Sequence, residues 1–269
     1  VAAWASASAD FIDLVTPLSQ AEWDTPTALP GWTVGDIVAH VSWIERILLG
    51  EYDEPYEPDW DSLPHATSFF GRITEVPVDL RRSWTREDVL IELADVIARR
   101  TLDIDQGPED LDAEVAGPFG PAPLGRVLRM RTLDTWVHEQ DIREALGRPG
   151  HLDSLGAQGT AAQLLMGYPK VWGKSVGAAP GETLRLRVTG PGIEQSRLIA
   201  VGDGGRAYGT PDAPGATVDE ATVTLTMSWP VFLALSCGRG DVSAARAQVA
   251  VEGDEQRGNA TLDNFCVMI

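Results

Sequence analysis

Apolar positions recur at helical spacing through most of the first half of the chain and alternate with polar ones over short runs in the second half. Residues 3–18 place Phe11, Ile12, Leu14, Val15 and Leu18 on one stripe, with Pro17 near its end, and predict a first helix. The segment WDTPTALPGW, punctuated by Pro26, Pro30 and Gly31, reads as a loop. Thr33 then offers an N-cap hydroxyl with Asp36 three residues on, opening a second helix through Ile37, Val38, Val41, Ile44, Ile47 and Leu48 to a stop at Gly50. Residues 51–82 are acidic, contain prolines and aromatics, and hold no sustained period, so they read as a long connection that packs over a site. A third helix follows over 85–104 on Val89, Leu90, Leu93, Val96 and Ile97. After the Gly- and Pro-rich loop 114–125, a fourth runs over about 124–146 on Val127, Leu128, Met130, Leu133, Val137, Ile142 and Leu146, ending at Gly147.

Beyond Arg148, Pro149 and Gly150 the pattern changes. Residues 153–172 suit one helix; thereafter ETLRLRVTG, SRLIAVG, RAYG, ATVTLTMS and AQVAVEG alternate like strands, and WPVFLALSCGRG and GDEQRGNATLDNFCV read as short helices among them. The expected architecture is an all-helical domain over 1–150 followed by an α+β domain over 151–269, with no internal repeat.

Composition narrows the functional classes. With 43% apolar residues the chain can bury a substantial core, and a formal charge of −19 disfavours nucleic acid and anionic membrane surfaces as partners. No stretch is apolar and long enough to span a bilayer, and Asp10 and Asp13 interrupt the one run that resembles a secretion signal, so the expected location is cytoplasmic. The two cysteines, Cys237 and Cys266, have no metal-ligand spacing and read as free thiols or small packing residues.

Chemistry concentrates in LDTWVHEQDIREALG, residues 133–147. Asp134 and His138 stand four apart on one helix face, and His40 lies on the apolar side of the second helix, three after Ile37 and four before Ile44. Two imidazoles and a carboxylate on helices that neighbour each other in a bundle make a candidate metal site. The plainer alternatives are a core histidine with one hydrogen bond, an Asp–His hydrogen bond, and an ion pair of Asp134 with Arg126, Arg129 or Arg131. Asp141 continues the face as a group that orients His138, and Arg239 in CGRGD is a candidate receptor for a carboxylate or an ordinary surface arginine. His65 reads as a solvent-facing loop residue, and Trp32 as a packing anchor at the entry of the second helix.

The runs LPGWTVGDIVAH and DTWVHEQDIREALG resemble the two signature segments of the mycothiol-dependent maleylpyruvate isomerase family, and TLTMSWPVFLALSCGRGD with VAVEGD is similar to that family's smaller C-terminal domain. The resemblance implies a DinB-like four-helix bundle followed by a sterol-carrier-like α+β domain. It implies a divalent metal, most often zinc, held by His40, Asp134 and His138, although the member that gives the family its name has Glu where this chain has Asp134. It also implies mycothiol as co-substrate, bound through sulfur, and a small electrophile as its target. Thiol transfer is the broader expectation, with cis–trans isomerisation of the maleylpyruvate type next, and metal-assisted hydrolysis or non-enzymatic ligand carriage as the remaining alternatives.

Overall fold

The computed structural model describes residues 1–211 and 221–268, and the chain divides into two compact units, Val1–His151 and Leu152–Ile269. The first contains helices α1 (Ala2–Val15), α2 (Gln20–Trp23), α3 (Val34–Leu48), α4 (Phe69–Arg81), α5 (Arg86–Gln106) and α6 (Leu124–Ala145). A two-residue antiparallel ribbon, β1 (Glu114–Val115) with β2 (Ala122–Pro123), leads into α6. Helices α1, α3, α5 and α6 form a four-helix bundle, in which α1 packs on α6 and α5 while α3 packs on α5 and α6. The stripes read from the sequence supply its core, with Phe11, Leu14 and Val15, Ile37, Val38 and Val41, Val89, Leu93 and Val96, and Leu128 and Ile142, joined by Leu124 at the start of α6. Each such side chain contributes roughly 1.5–3 kcal/mol on burial.

Helix α3 starts where the sequence directs it. The Thr33 hydroxyl accepts from the Asp36 amide at 3.3 Å and Asp36 Oδ2 accepts from the Thr33 amide at 2.8 Å, so two amides at the helix start are satisfied reciprocally. The turn before it needs Gly31, whose φ is +77° and where a Cβ would stand 2.3 Å from His65 Nδ1.

The connection 51–82 is not irregular throughout: it ends in α4, which packs against α3. Its period was hidden because the buried residues of α4 are Glu75, Pro77, Val78 and Arg81, a face mostly charged or ring-constrained. His65, expected in solvent, is half-buried, with Nε2 2.9 Å from Glu75 Oε2.

The second unit carries a five-stranded sheet in the order β5-β4-β3-β6-β7, formed by β3 (Thr183–Gly190), β4 (Ile193–Val201), β5 (Ala207–Pro211), β6 (Val223–Ser228) and β7 (Ala250–Gly253). Among the described residues only the central β3–β6 pair is parallel, with Leu186 opposite Leu225 and Val188 opposite Met227. The single helix expected over 153–172 is broken: α7 (Leu155–Leu165) stops before Gly167, α8 (Tyr168–Lys170) is one turn containing Pro169, and a π turn covers Val171–Ser175. Helix α9 (Trp229–Cys237) packs on β3 and β6, α10 (Val242–Arg246) follows it, and α11 (Glu255–Asp263) packs on β6 and β7. Among the described residues no helix is long and apolar enough to cross a membrane.

Candidate metal centre

Helices α3 and α6 bring His40, Asp134 and His138 together, and one ligand atom from each lies within 4.8 Å of the others. His40 Nε2 is 3.6 Å and His138 Nε2 is 3.7 Å from the same oxygen, Asp134 Oδ1. The imidazole rings meet edge to face, with centroids 5.0 Å apart and planes at 78°. The histidine side chains are 5% and 10% exposed, whereas Asp134 is 27% exposed and forms the more open side of the group.

The separations discriminate between readings. At 3.6 and 3.7 Å the Nε2–Oδ1 pairs are too long for hydrogen bonds. They lie close to the distance of about 3.3 Å between neighbouring ligands of a tetrahedral zinc with bonds of about 2.0–2.1 Å. The donor set, two imidazoles and a carboxylate, also fits a divalent metal with a position left for an exogenous ligand.

Electrostatics favour the ligating forms. Burial lowers the His40 pKa from 6.5, prevailing over the attraction of Asp134, and so favours the neutral ring. Burial pushes the Asp134 carboxyl up, but Arg131, His138 and His40 outweigh it and hold its pKa well below the usual carboxylate range. Arg131 Nη1 donates to Asp134 Oδ2 at 2.6 Å, so the ion pair weighed as an alternative coexists with the convergence of the three residues.

Partners behind the group differ. His138 Nδ1 is 3.1 Å from Asp141 Oδ2, a contact that orients the ring with Nε2 toward the centre, whereas His40 Nδ1 is buried without a hydrogen-bond partner. Trp32 is more than a packing anchor, since its ring centroid lies 5.1 Å from that of His40 and 6.2 Å from that of His138. Its Nε1 donates to Glu75 Oε2 at 2.7 Å, tying this wall of the site to α4. Trp43, one turn beyond His40, adds a ring 6.5 Å from it. The sequence showed these tryptophans but not their convergence, because Trp32 precedes the helix and α4 was not legible.

Arg239 follows α9 in the second unit, where its Nη1 donates to the Cys237 carbonyl at 3.4 Å. A second convergence in the first unit, Asp10, Glu139 and His151, contains a cation of its own. Arg143 donates from Nε to Glu139 Oε1 at 2.7 Å and places Nη2 3.1 Å from His151 Nδ1, so this group is an ion-pair cluster. Two clefts in the first unit, of about 140 and 260 Å³, include none of His40, Asp134 and His138.

Fold and site together define a class: a helix bundle that presents two histidines and a carboxylate from two packed helices, followed by an α+β unit. Residues 4–143 match the model of the mycothiol maleylpyruvate isomerase N-terminal domain, more than half of the chain, and the chain belongs to that family. It is similar in structure to the mycothiol-dependent maleylpyruvate isomerase, at 16% identity and a TM-score of 0.53, with 91% of this chain and 88% of that chain covered. A histidine-to-alanine mutant of that isomerase matches with the same identity and coverage and a TM-score of 0.52. No curated protein sequence matches significantly.

Proposed function

We propose that the chain is a metal-dependent enzyme that uses mycothiol as co-substrate, and that its reaction is a cis–trans isomerisation of the maleylpyruvate class. The observation that carries this reading is the meeting of His40 Nε2, His138 Nε2 and Asp134 Oδ1 at distances that suit ligands and not hydrogen bonds. Thiol transfer, the first expectation from sequence, shares the opening step, but the family and both similar structures carry the isomerase activity in their names and favour that outcome.

A divalent metal, with zinc the best match to these donors, supplies Lewis acidity that keeps a thiol ionised near neutral pH. The residues around it do the rest. His40 and His138 offer their Nε2 atoms, Asp134 contributes one negative charge, and the Trp32 ring shields the histidine side of the centre. In the isomerisation the thiolate sulfur bonds to one carbon of the cis double bond and the π electron pair moves into the conjugated carbonyl. The resulting single bond rotates, and return of the electron pair expels the thiolate and leaves the trans alkene. In transfer the adduct is protonated and released instead. A reduced thiol co-substrate suits a cytoplasmic setting.

The test is calorimetric titration of mycothiol into zinc-loaded and chelated protein, followed by an assay of maleylpyruvate with and without mycothiol. Thiol binding that needs the metal, together with thiol-dependent cis–trans conversion, is the expected result. A stable thiol adduct without isomerised product would establish transfer, and zinc binding without thiol binding would overturn both.

A further inference from the structure

Beneath the three converging residues lies a buried ionic chain that the metal reading by itself does not require. Arg131, three residues before Asp134 on α6, is 2% exposed and uses each of its nitrogens. Nη1 donates to Asp134 Oδ2 at 2.6 Å, Nη2 to Thr135 Oγ1 at 3.4 Å, and Nε to Glu45 Oε1 at 2.8 Å. Glu45, on α3 and wholly buried, is fixed in turn by Trp4 Nε1 from α1 at 3.2 Å and by Arg100 Nε from α5 at 3.3 Å. All four helices of the bundle therefore hold the guanidinium in place.

The two oxygens of Asp134 thus have different surroundings: Oδ2 carries a 2.6 Å charge-assisted bond and Oδ1 faces both histidines. We propose that Arg131, braced by Glu45, is a positioning residue that restricts Asp134 to a single-oxygen ligand and keeps a coordination position open for an anionic sulfur. The inference rests on the metal reading and deepens it. A free carboxylate beside a divalent ion can close on it with both oxygens and use up that position. Pinning Oδ2 prevents this. The guanidinium also adds a positive charge beside the centre. Arg131 offsets the charge of Asp134, and Glu45 is offset in turn by Arg100, so the charge of a bound divalent ion is not cancelled by its carboxylate ligand and favours an incoming thiolate over a neutral thiol.

The experiment uses the full chain loaded with cobalt(II), whose visible bands are intense in four-coordinate sites and weak at higher coordination number. Wild type, Arg131→Met and Arg131→Lys are compared for cobalt affinity by chelator competition, for their spectra with and without mycothiol, and for thermal unfolding. Arg131→Met leaves Glu45 paired with Arg100 and Trp4, so no lone charge is stranded in the core. It is expected to show weakened bands that mycothiol no longer restores, with cobalt bound no less tightly than by wild type, because a second carboxylate oxygen joins and a neighbouring positive charge is gone. Arg131→Lys, which keeps a cation near Oδ2, should recover much of the wild-type spectrum and its response to mycothiol. A folded Arg131→Met protein with the wild-type spectrum would overturn the proposal, as would equal spectral losses in both variants. If wild type binds no cobalt, or His40→Ala binds as wild type does, the underlying metal reading fails instead. Should Arg131→Met fail to fold, Glu45→Gln supplies the second variant: it keeps the shape and weakens the brace, and an unaltered spectrum there would count against the proposal.

Discussion

His40 and His138 converge on one oxygen but are supported differently. Asp141 backs His138 through Nδ1 at 3.1 Å, and partners of this kind raise ligand basicity and fix ring orientation. Asp141→Asn is therefore expected to weaken metal binding about ten- to a hundredfold in chelator competition, while unchanged affinity would remove Asp141 from the account. His40 has burial in place of a partner. Its pKa lies below 6.5 in the folded, metal-free protein, so as pH falls through 6.5 the unfolded chain takes up a proton that the folded chain refuses. Stability from this residue is present above 6.5 and lost as pH drops toward the folded value. Chelated protein melted between about pH 7.5 and 5.5 should lose stability on acidification, and His40→Gln should flatten that slope. An equal slope in both proteins would contradict the assignment.

At the scale of elements, the site depends on how α3 is entered and on what covers it. Glu75 on α4 accepts from Trp32 Nε1 at 2.7 Å and pairs with Arg82 at 2.8 Å, although it is almost wholly buried. Glu75→Ala should cost about 2–4 kcal/mol, since removing one member of a buried polar network strands the others. Thr33→Ala, which removes only a cap, should cost about 1 kcal/mol. Denaturant unfolding checks the order, and a larger loss for Thr33→Ala would show that α4 contributes little. Elements whose buried face is apolar were legible in sequence: α1, α3, α5 and α6 follow their stripes, and α3 begins at the hydroxyl cap Thr33. Helix α4 was illegible because it buries Glu75 and Arg81 through ion pairs that only the fold supplies. The same reason hid the Arg131–Glu45 contact, which joins residues 86 positions apart. By contrast the i,i+4 relation of Asp134 and His138 is local and could be read directly.

At the scale of the whole molecule, a net charge of −19 sets the partners by repulsion and attraction together. Duplex DNA added at low salt should give no measurable binding, and micromolar affinity there would contradict the reading of the surface. Divalent cations are instead drawn toward the chain, but non-specific attraction gives neither a fixed stoichiometry nor dependence on particular histidines. That distinction makes the metal content of the full chain, and of its His40→Ala and His138→Ala variants after zinc reconstitution and exhaustive dialysis, the most direct test. Near-stoichiometric zinc in the parent and its loss from both variants, each still folded, is the expected result. Zinc retained in both variants, or absent from the reconstituted parent, would contradict the central claim that α3 and α6 together hold a metal.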